Sequence, residues 1–333
     1  MAGKLKGKVA IVTGASSGLG WQSAVRLAEQ GVKLCVTARR EDALRQLARD
    51  IEARGGECLV VAGDVSDDEQ VREVVRRCLA HYGRIDVLVN NAAVQMYAPF
   101  EQYTLDEYRR IFDVTFYGYL RFAWAVLPHF RAQGSGHVLN VLSMLSKGAA
   151  PLLSAYTAAK HALLGWSKCL RLELYGTGIE VSGLLVPSIS SCMFDHAPTR
   201  LGRAPKPVPP TYPTDKLARA VVKLAKKPNP EYVPVVLQGK LPLLLEQLAP
   251  WFGAGVLGRW GDRMQMRDEP VDRPEGNLYE PMAEGVGPNG SIAPTPRWMM
   301  LGGASLLAVA GASVAGALAF GSVKGARLLR AAL

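Results

Sequence analysis

The sequence is poor in the residues that build metal sites and disulfide frameworks. Its five cysteines include no C-x-x-C pair, and its five histidines include no H-E-x-x-H motif. Zinc sites and disulfide frameworks need such spacings or an even set of cysteines. We therefore expect no metal ion, and thiols that stay reduced and mostly buried.

We also expect the chain to have no secretion signal and no nucleic-acid-binding motif. Its first apolar run, VAIV, is too short for the core of a signal peptide. The formal net charge is +10, but the cations are interleaved with Asp and Glu along helical patterns such as residues 39–54. That arrangement is typical of solvated helix faces. The pattern favours a cytoplasmic first domain and no nucleic-acid partner.

Strand patterns alternate with helical patterns over the first two thirds of the chain. Val9–Thr13 is a β-branched run of the kind found in buried strands. Similar runs follow in LCVTA, CLVVAGDV, IDVLVNNAA, HVLNVLS and IEVSGLLVP. The alternation predicts an α/β fold, a doubly wound parallel β-sheet of the Rossmann type with helices on both faces.

The chain divides further by composition. Residues 1–240 are predicted to form the Rossmann-fold domain, and residues 241–266 an apolar lid or packing helix. Residues 267–297 are acidic and rich in Pro and Gly, which predicts a linker. Residues 298–323 carry no charge and predict a C-terminal apolar helix, and residues 324–333 form a basic tail.

The uncharged run 298–323 is long enough to span a bilayer, which takes about 20 apolar residues. Trp298 at its start suits a membrane interface, and a four-spaced row of Ala and Gly suits close helix packing in lipid. A spanning helix, an anchor lying in the interface and a buried or dimer-forming helix of a soluble protein remain open. We expect membrane association through this helix, with the Rossmann-fold domain in the cytoplasm.

The candidate chemistry lies in a glycine-rich motif and a Tyr-Lys pair. TGASSGLG, residues 13–20, lies between the first strand and the first helix, where glycines let the backbone approach a pyrophosphate. In YTAAK, Tyr156 and Lys160 share one helix face, and a nearby ammonium lowers the pKa of a tyrosine. Ser143 ends an earlier strand, so its hydroxyl can bond to a substrate carbonyl.

Taken together, these motifs resemble the compact branch of the short-chain dehydrogenase/reductase family over roughly residues 5–240. TGASSGLG matches its T-G-x-x-x-G-x-G, GDV its adenine-binding segment, and NNAA its N-N-A-G. The resemblance implies interconversion of a carbonyl and an alcohol with hydride transfer from NAD(P)H. Tyr156 would donate the proton, Lys160 would hold the cofactor ribose, and Ser143 would orient the carbonyl.

The resemblance also assigns binding residues by position. The expected cofactor-binding residues are Gly14, Ser16, Ser17, Gly18, Leu19, Gly20, Arg39, Arg40, Asp64, Val65, Asn91, Ala92, Tyr156, Lys160, Pro187, Ser188 and Ile189. Ser143, Leu145 and Met193 are expected to contact the substrate. Because the candidate pocket is mostly apolar, we expect a small lipophilic ketone, aldehyde or alcohol. The family often forms dimers or tetramers, which implies a homo-oligomer.

Cofactor choice depends on the corner after the second strand. In dinucleotide-binding folds an acidic residue there binds the ribose 2′-OH of NAD, whereas arginine accommodates the 2′-phosphate of NADP. Ala38 takes the place of the acid, and Arg39 and Arg40 follow it. The forked donors of arginine suit phosphate. We therefore expect NADP(H) rather than NAD(H), with Arg39 as the main contact.

Some positions depart from the family pattern. Thr115 stands where the family usually has an Asn that breaks a helix and so frees a backbone carbonyl. A threonine can also disturb a helix, because its hydroxyl can bond back to an earlier carbonyl. Thr115 therefore stays in the expected catalytic set. Ser188 replaces a Gly after Pro187, and Cys192 replaces a threonine that touches the cofactor amide. The alternatives are a non-catalytic, membrane-tethered NADP-binding sensor and an extended-branch sugar-nucleotide epimerase, which the glycine spacing disfavours.

Overall fold

The computed structural model describes residues 5–234 and 261–296. Its main sheet is parallel and seven-stranded, with the order β10-β6-β5-β4-β1-β2-β3. These strands are β1 (Val9–Thr13), β2 (Lys33–Thr37), β3 (Cys58–Val60), β4 (Val87–Asn90), β5 (Gly136–Ser143), β6 (Ile179–Val186) and β10 (Glu231–Tyr232). Short strands outside it are β7 (Ile189–Ser190), β8 (Arg203–Pro205), β9 (Tyr212–Pro213) and β11 (Met266–Pro270).

Helices cover both faces of the sheet because successive residues of each central strand point to opposite sides. In β1, Val9 and Ile11 join one hydrophobic cluster, whereas Ala10 and Val12 join the other. The helices are α1 (Gly18–Ala28), α2 (Glu41–Glu52), α3 (Asp68–Tyr82), α4 (Leu105–Phe112), α5 (Gly118–Gln133), α6 (Ser154–Glu173), α7 (Met193–His196) and α8 (Thr214–Lys226). Buried side chains of α1, α2 and α8 contribute to the second of these clusters, and those of α3, α5 and α6 to the first; Tyr119 on α5 and Leu163 on α6 belong to a third, smaller cluster.

The direction of winding reverses at β1, which lies between β2 and β4. Ligands of open α/β sheets bind in the crevice at such a switch point, beyond the carboxyl ends of the strands. The turn after β1, Asn90 at the end of β4 and Ser143 at the end of β5 therefore meet at one edge of the sheet. The predicted parallel sheet with flanking helices is confirmed.

Parts of the C-terminal third lie outside the described residues. These are the predicted apolar helix at 298–323, the basic tail at 324–333, and residues 241–260 of the predicted lid. Within 5–234 and 261–296, no helix combines the length and apolarity that crossing a membrane needs.

Residues 267–296, predicted to be a linker, lie against the Rossmann domain. β11 pairs antiparallel with β8, with Met266 opposite Pro205. Further on, the Thr295 N–H donates to the Thr211 carbonyl at 2.9 Å. Pro and Gly do keep this segment free of long helices, but its backbone carbonyls and amides bond to the domain, which composition does not reveal.

Candidate active site

The turn after β1 contains glycines where no side chain would fit. A Cβ on Gly14, which has a φ of 63°, would lie 2.8 Å from the Ala92 Cα. A Cβ on Gly20 would lie 2.3 Å from the carbonyl oxygen of Gly14. Asn91 holds the turn by donating from Nδ2 to the Thr13 carbonyl at 2.9 Å. The turn therefore packs tightly on the end of β4, and the N-terminus of α1 follows it directly.

A single cavity of about 1100 Å³ collects the predicted site residues. All of the expected cofactor-binding residues except Gly20 line it, and so do Ser143, Leu145 and Met193. Gly20 does not face the cavity but packs closely on Gly14. Thr115 does not line the cavity and is fully buried. The cavity is of the size that a dinucleotide and a small substrate need.

Ser143 and Tyr156 lie together on the wall of this cavity. Ser143 ends β5 and begins a short 3₁₀ turn, where its Oγ accepts the Leu145 N–H at 3.1 Å. Its own N–H donates to Ser146 Oγ at 3.2 Å. Tyr156 lies in the first turn of α6, is 7% exposed, and hydrogen-bonds to the Ser143 side chain. Two hydroxyls therefore lie side by side, where both can reach one carbonyl oxygen.

Lys160 lies one helical turn after Tyr156 and is 1% exposed. Its Nζ donates to the Val141 carbonyl at 2.9 Å and to the Tyr119 hydroxyl at 3.3 Å. The Nζ is 5.7 Å from the centre of the Tyr156 ring. Tyr119, which the sequence did not single out, also donates to the Val141 carbonyl at 3.1 Å. The ammonium is thus held against β5 by backbone and phenol oxygens.

Burial controls the pKa values of this pair. It raises the pKa of Tyr156 to about 12, and the bond to Ser143 opposes the shift only in part. It lowers the pKa of Lys160 to about 7. The sequence predicts that Lys160 lowers the pKa of Tyr156, and the structure shows a shift in the opposite direction. The reason is that burial disfavours both charged forms, and a lysine that is partly neutral at pH 7 attracts a phenolate weakly.

Thr115 lies in a π-helical segment, Asp113–Tyr117, between α4 and α5. Its Oγ1 donates to the Val94 carbonyl at 3.1 Å and accepts the Val94 N–H at 3.2 Å. The helix is disturbed, as the sequence predicts, but the hydroxyl does not bond back to an earlier helical carbonyl. It bonds to the loop after β4 instead, which makes Thr115 a positioning residue for the cavity wall.

Arg39 and Arg40 line the cavity at the corner after β2. Arg39 donates to the carbonyls of Asn277, at 2.7 Å, and Tyr279. Arg40 donates to the Met282 carbonyl at 3.0 Å. Burial lowers the pKa of both guanidiniums. The sequence does not predict these contacts, because they are made to backbone carbonyls. From the sequence alone, the two arginines could be cofactor ligands or surface charges at the start of a helix.

Asp64 is held beside them by Arg110, another residue that sequence reasoning missed. Arg110 Nη2 donates to the Asp64 carboxylate at 2.8 Å, and its Nε donates to the Leu278 carbonyl at 2.9 Å. Burial alone would raise the pKa of Asp64, but bonds from Arg110 and Ser66 outweigh it and lower the pKa. In LDEYRRIF, Arg110 resembles any solvated helix charge, so only the tertiary fold identifies it.

Several known proteins are similar to this chain in sequence or in fold. Residues 8–200 match a family model described as short chain dehydrogenase. The uncharacterized oxidoreductase YxnA of Bacillus subtilis is 30% identical over 83% of this chain and 79% of its own length. The ketoacyl reductase HetN of Nostoc sp. is 31% identical over 75% of this chain and 90% of its own length. The crystal structure of a metagenomic short-chain oxidoreductase in complex with NADP is similar with a TM-score of 0.59 and 30% identity, covering 69% of this chain and 97% of that chain.

The family model covers more than half of the chain, and the relatives match over most of their own lengths. The glycine turn, the Tyr-Lys pair and the switch-point cavity agree with that match. The chain therefore belongs to the short-chain dehydrogenase/reductase family and is an NAD(P)-dependent oxidoreductase.

Proposed function

We propose that the protein interconverts a carbonyl and an alcohol on a small lipophilic substrate with NADP(H). The main support for this proposal is that Ser143, Tyr156 and Lys160 line the same cavity as the glycine turn. The residues fit a dinucleotide, because the glycine turn lines the cavity and brings to its wall the N-terminus of α1, which suits a pyrophosphate; the Gly18 N–H there bonds to the Gly287 carbonyl. Together these features combine a nucleotide site with a proton donor.

The chain's own residues supply binding and proton transfer. When bound, the nicotinamide cofactor donates hydride to the substrate carbon or accepts hydride from it. Tyr156 keeps its proton at neutral pH and donates it to the carbonyl oxygen as negative charge develops there. Ser143 orients the same oxygen by hydrogen bonding. Lys160, with a pKa of about 7, can gain and lose a proton under working conditions, which restoring the phenol requires.

The preference for NADP(H) is supported by the corner after β2. Ala38 offers no carboxylate there, and the Asp64 carboxylate is paired with Arg110. Arg39 uses two of the five N–H donors of a guanidinium on backbone carbonyls, so donors remain for a phosphate. We expect Arg39→Ala to weaken NADPH binding by about 10- to 100-fold and to change NADH binding little. Exposed Arg45 on α2 provides the matched control, Arg45→Ala; equal losses for both nucleotides would refute the preference.

A lipophilic substrate is supported by the cavity wall near Tyr156. Met144, Leu145, Met193 and Phe194 line it there, and methionine adapts to varied apolar shapes. The relative HetN is named a ketoacyl reductase, which is consistent with an acyl-chain carbonyl.

The direct test is NADPH oxidation by the full chain against a panel of lipophilic ketones, aldehydes and quinones. We expect turnover that is lost in Tyr156→Phe, with NADPH affinity retained, because only the proton donor is removed. Tight NADPH binding without turnover on any substrate would favour the sensor alternative. Full turnover by Tyr156→Phe would remove the proposed role of Tyr156.

We also propose that the uncharged run 298–323 associates the protein with a membrane, with the catalytic domain on the cytoplasmic side. The support is its length and its lack of charge. Flotation of the full chain with liposomes at low and high salt tests this, and a protein that stays unbound in both conditions refutes it.

A homo-oligomer is a separate proposal. It is supported by large apolar side chains that are exposed on two consecutive helices, Trp124 on α5 and Leu172 on α6, which are 67% and 72% exposed. Light scattering of the purified full chain at several concentrations tests it. A monomer at every concentration would contradict it.

A further inference from the structure

Residues 277–290, here named the wall segment, run along the cofactor-binding residues from Arg39 and Arg40 to the N-terminus of α1. In its first half, the segment offers a row of backbone carbonyls to Arg39 and Arg40. Arg39 bonds to Asn277 and Tyr279, as described above, and Arg40 Nη1 also donates to the Glu284 carbonyl at 2.7 Å. This half therefore lies at the corner where the 2′-phosphate of NADP would bind.

The second half crosses the N-terminus of α1. The Gly18 N–H donates to the Gly287 carbonyl at 2.8 Å, and Ser17 forms a parallel β-bridge with Gly287. Cys192 Sγ donates to the Asn289 carbonyl at 3.0 Å. Thr214 Oγ1 donates to the Asn289 side-chain oxygen at 2.8 Å. This half is thus fixed to the glycine turn on one side and to the loops after β6 on the other.

The segment bounds the cavity and does not fill it. Asn277, Pro281 and Met282 line the same 1100 Å³ cavity as Arg39 and Gly18. A large space therefore remains beneath the segment while all of its bonds are made. A wall that covers part of a bound ligand slows the release of that ligand if the wall has to move first.

The middle of the segment packs on His196. Its Nε2 is 2.9 Å from the Glu284 carbonyl, and burial lowers its pKa. Gly285 packs on the same ring so closely that a Cβ would lie 2.1 Å from His196 Nε2. Gly285 also has a φ of 65°, which other residues rarely adopt. A side chain at position 285 would therefore displace the segment from His196 and disturb the bonds of Arg40 to the Glu284 and Gly285 carbonyls, while both arginine side chains stay in place.

We propose that the wall segment is part of the cofactor site, and that Asn277, Pro281 and Met282 contact the adenosine half of the bound nucleotide. The inference rests on the proposed function, since it requires a dinucleotide in the cavity. Release of the nucleotide then requires the bonds to Arg39, Arg40 and Gly18 to break. The wall slows the dissociation of NADPH and NADH alike, because it covers the half that they share.

The test compares NADPH release from the full-length wild type, Gly285→Val and Gly134→Val by stopped-flow fluorescence, with excess NADP⁺ as the trap. Gly134 lies outside the wall segment, shares the φ of 65° and has nothing within 4 Å of an added Cβ, so it provides the control. We expect release to be about tenfold faster in Gly285→Val and unchanged in Gly134→Val. Equal rates in all three proteins would overturn the inference, and so would tighter binding in Gly285→Val, which would mean that the segment competes with the nucleotide.

A second measurement uses the wild type alone and does not depend on the folding of a variant. Hydrogen–deuterium exchange of residues 277–290 is compared with and without saturating NADPH. We expect slower exchange in the wall segment when NADPH is bound, and unchanged or faster exchange would contradict the inference. Failure to bind NADPH at all would instead refute the proposed function, so the two failures are distinguishable.

Discussion

Replacing Lys160 by methionine tests the cost of burying an amine in this site. Lys160 is 1% exposed, and burial lowers its pKa from the usual 10.5 to about 7. Between these values the unfolded chain holds a proton that the folded protein has released. A group of this kind makes the free energy of unfolding increase with pH. Methionine fills a similar space without a charge, so Lys160→Met should lack this increase.

The size of the effect follows from the two pKa values. A pKa that changes from 10.5 unfolded to about 7 folded adds roughly 2 kcal/mol to the free energy of unfolding between pH 7 and pH 9. For a domain of this size, about 2–4 °C of Tm per kcal/mol gives an increase of about 4–8 °C. Burial raises the pKa of Tyr156, so this residue makes the free energy of unfolding decrease with pH. That decrease begins only as pH approaches 10, where the tyrosine of the unfolded chain ionises.

The assay is thermal unfolding of the wild type and Lys160→Met at pH 7, 8 and 9, without added nucleotide. Comparison of the two proteins cancels the contribution of buried thiols, which both contain. We expect the Tm of the wild type to increase relative to that of Lys160→Met as pH increases, and turnover to be lost in the variant. A difference in Tm that stays constant with pH would refute the reasoning, because Lys160 would then be charged in the folded protein.

Two further substitutions test the walls of the cavity. Thr115→Val should lower the free energy of unfolding by about 1–3 kcal/mol, because the buried N–H and carbonyl of Val94 lose their partner; chemical denaturation checks this, and Thr115→Ser should recover most of the loss. Gly20→Ala should abolish NADPH binding or folding, since the new Cβ would lie 2.3 Å from the Gly14 carbonyl. Its control is Gly165→Ala, because nothing lies within 4 Å of a Cβ added there. In this control the free energy of unfolding should increase by at most about 1 kcal/mol. A normal Tm and normal NADPH affinity in Gly20→Ala would contradict the packing argument.

Much of the sheet and of the candidate site could be predicted because local pattern and global fold agree. The β-branched run at Val9–Thr13 predicts β1 at the residues where it lies. The alternation of strands with helices predicts the parallel sheet, and the strand order in the structure brings the glycine turn and Ser143 to one edge. Residues far apart in the chain share the cavity for this reason.

Contacts made by backbone atoms could not be predicted. The carbonyls of Asn277 and Met282 would bind an arginine whatever their side chains were, so the sequence contains no trace of them. The direction in which the pKa of Tyr156 shifts could not be predicted either, because it depends on how deeply the phenol is buried. Spacing places Lys160 near Tyr156, but it does not report how much water either group retains.

The bond between Gly18 and Gly287 has a consequence for protein synthesis. Gly18 lies in the first helix, whereas Gly287 lies near the end of the described chain. At about 5–20 residues per second, a ribosome adds Gly287 roughly fifteen seconds to one minute after Gly18. The strands and the arginines that bound the cavity are therefore all translated before its last side. Premature termination before residue 277 would leave a chain with the glycine turn and Tyr156 but without the side of the cavity that Asn277, Pro281 and Met282 form.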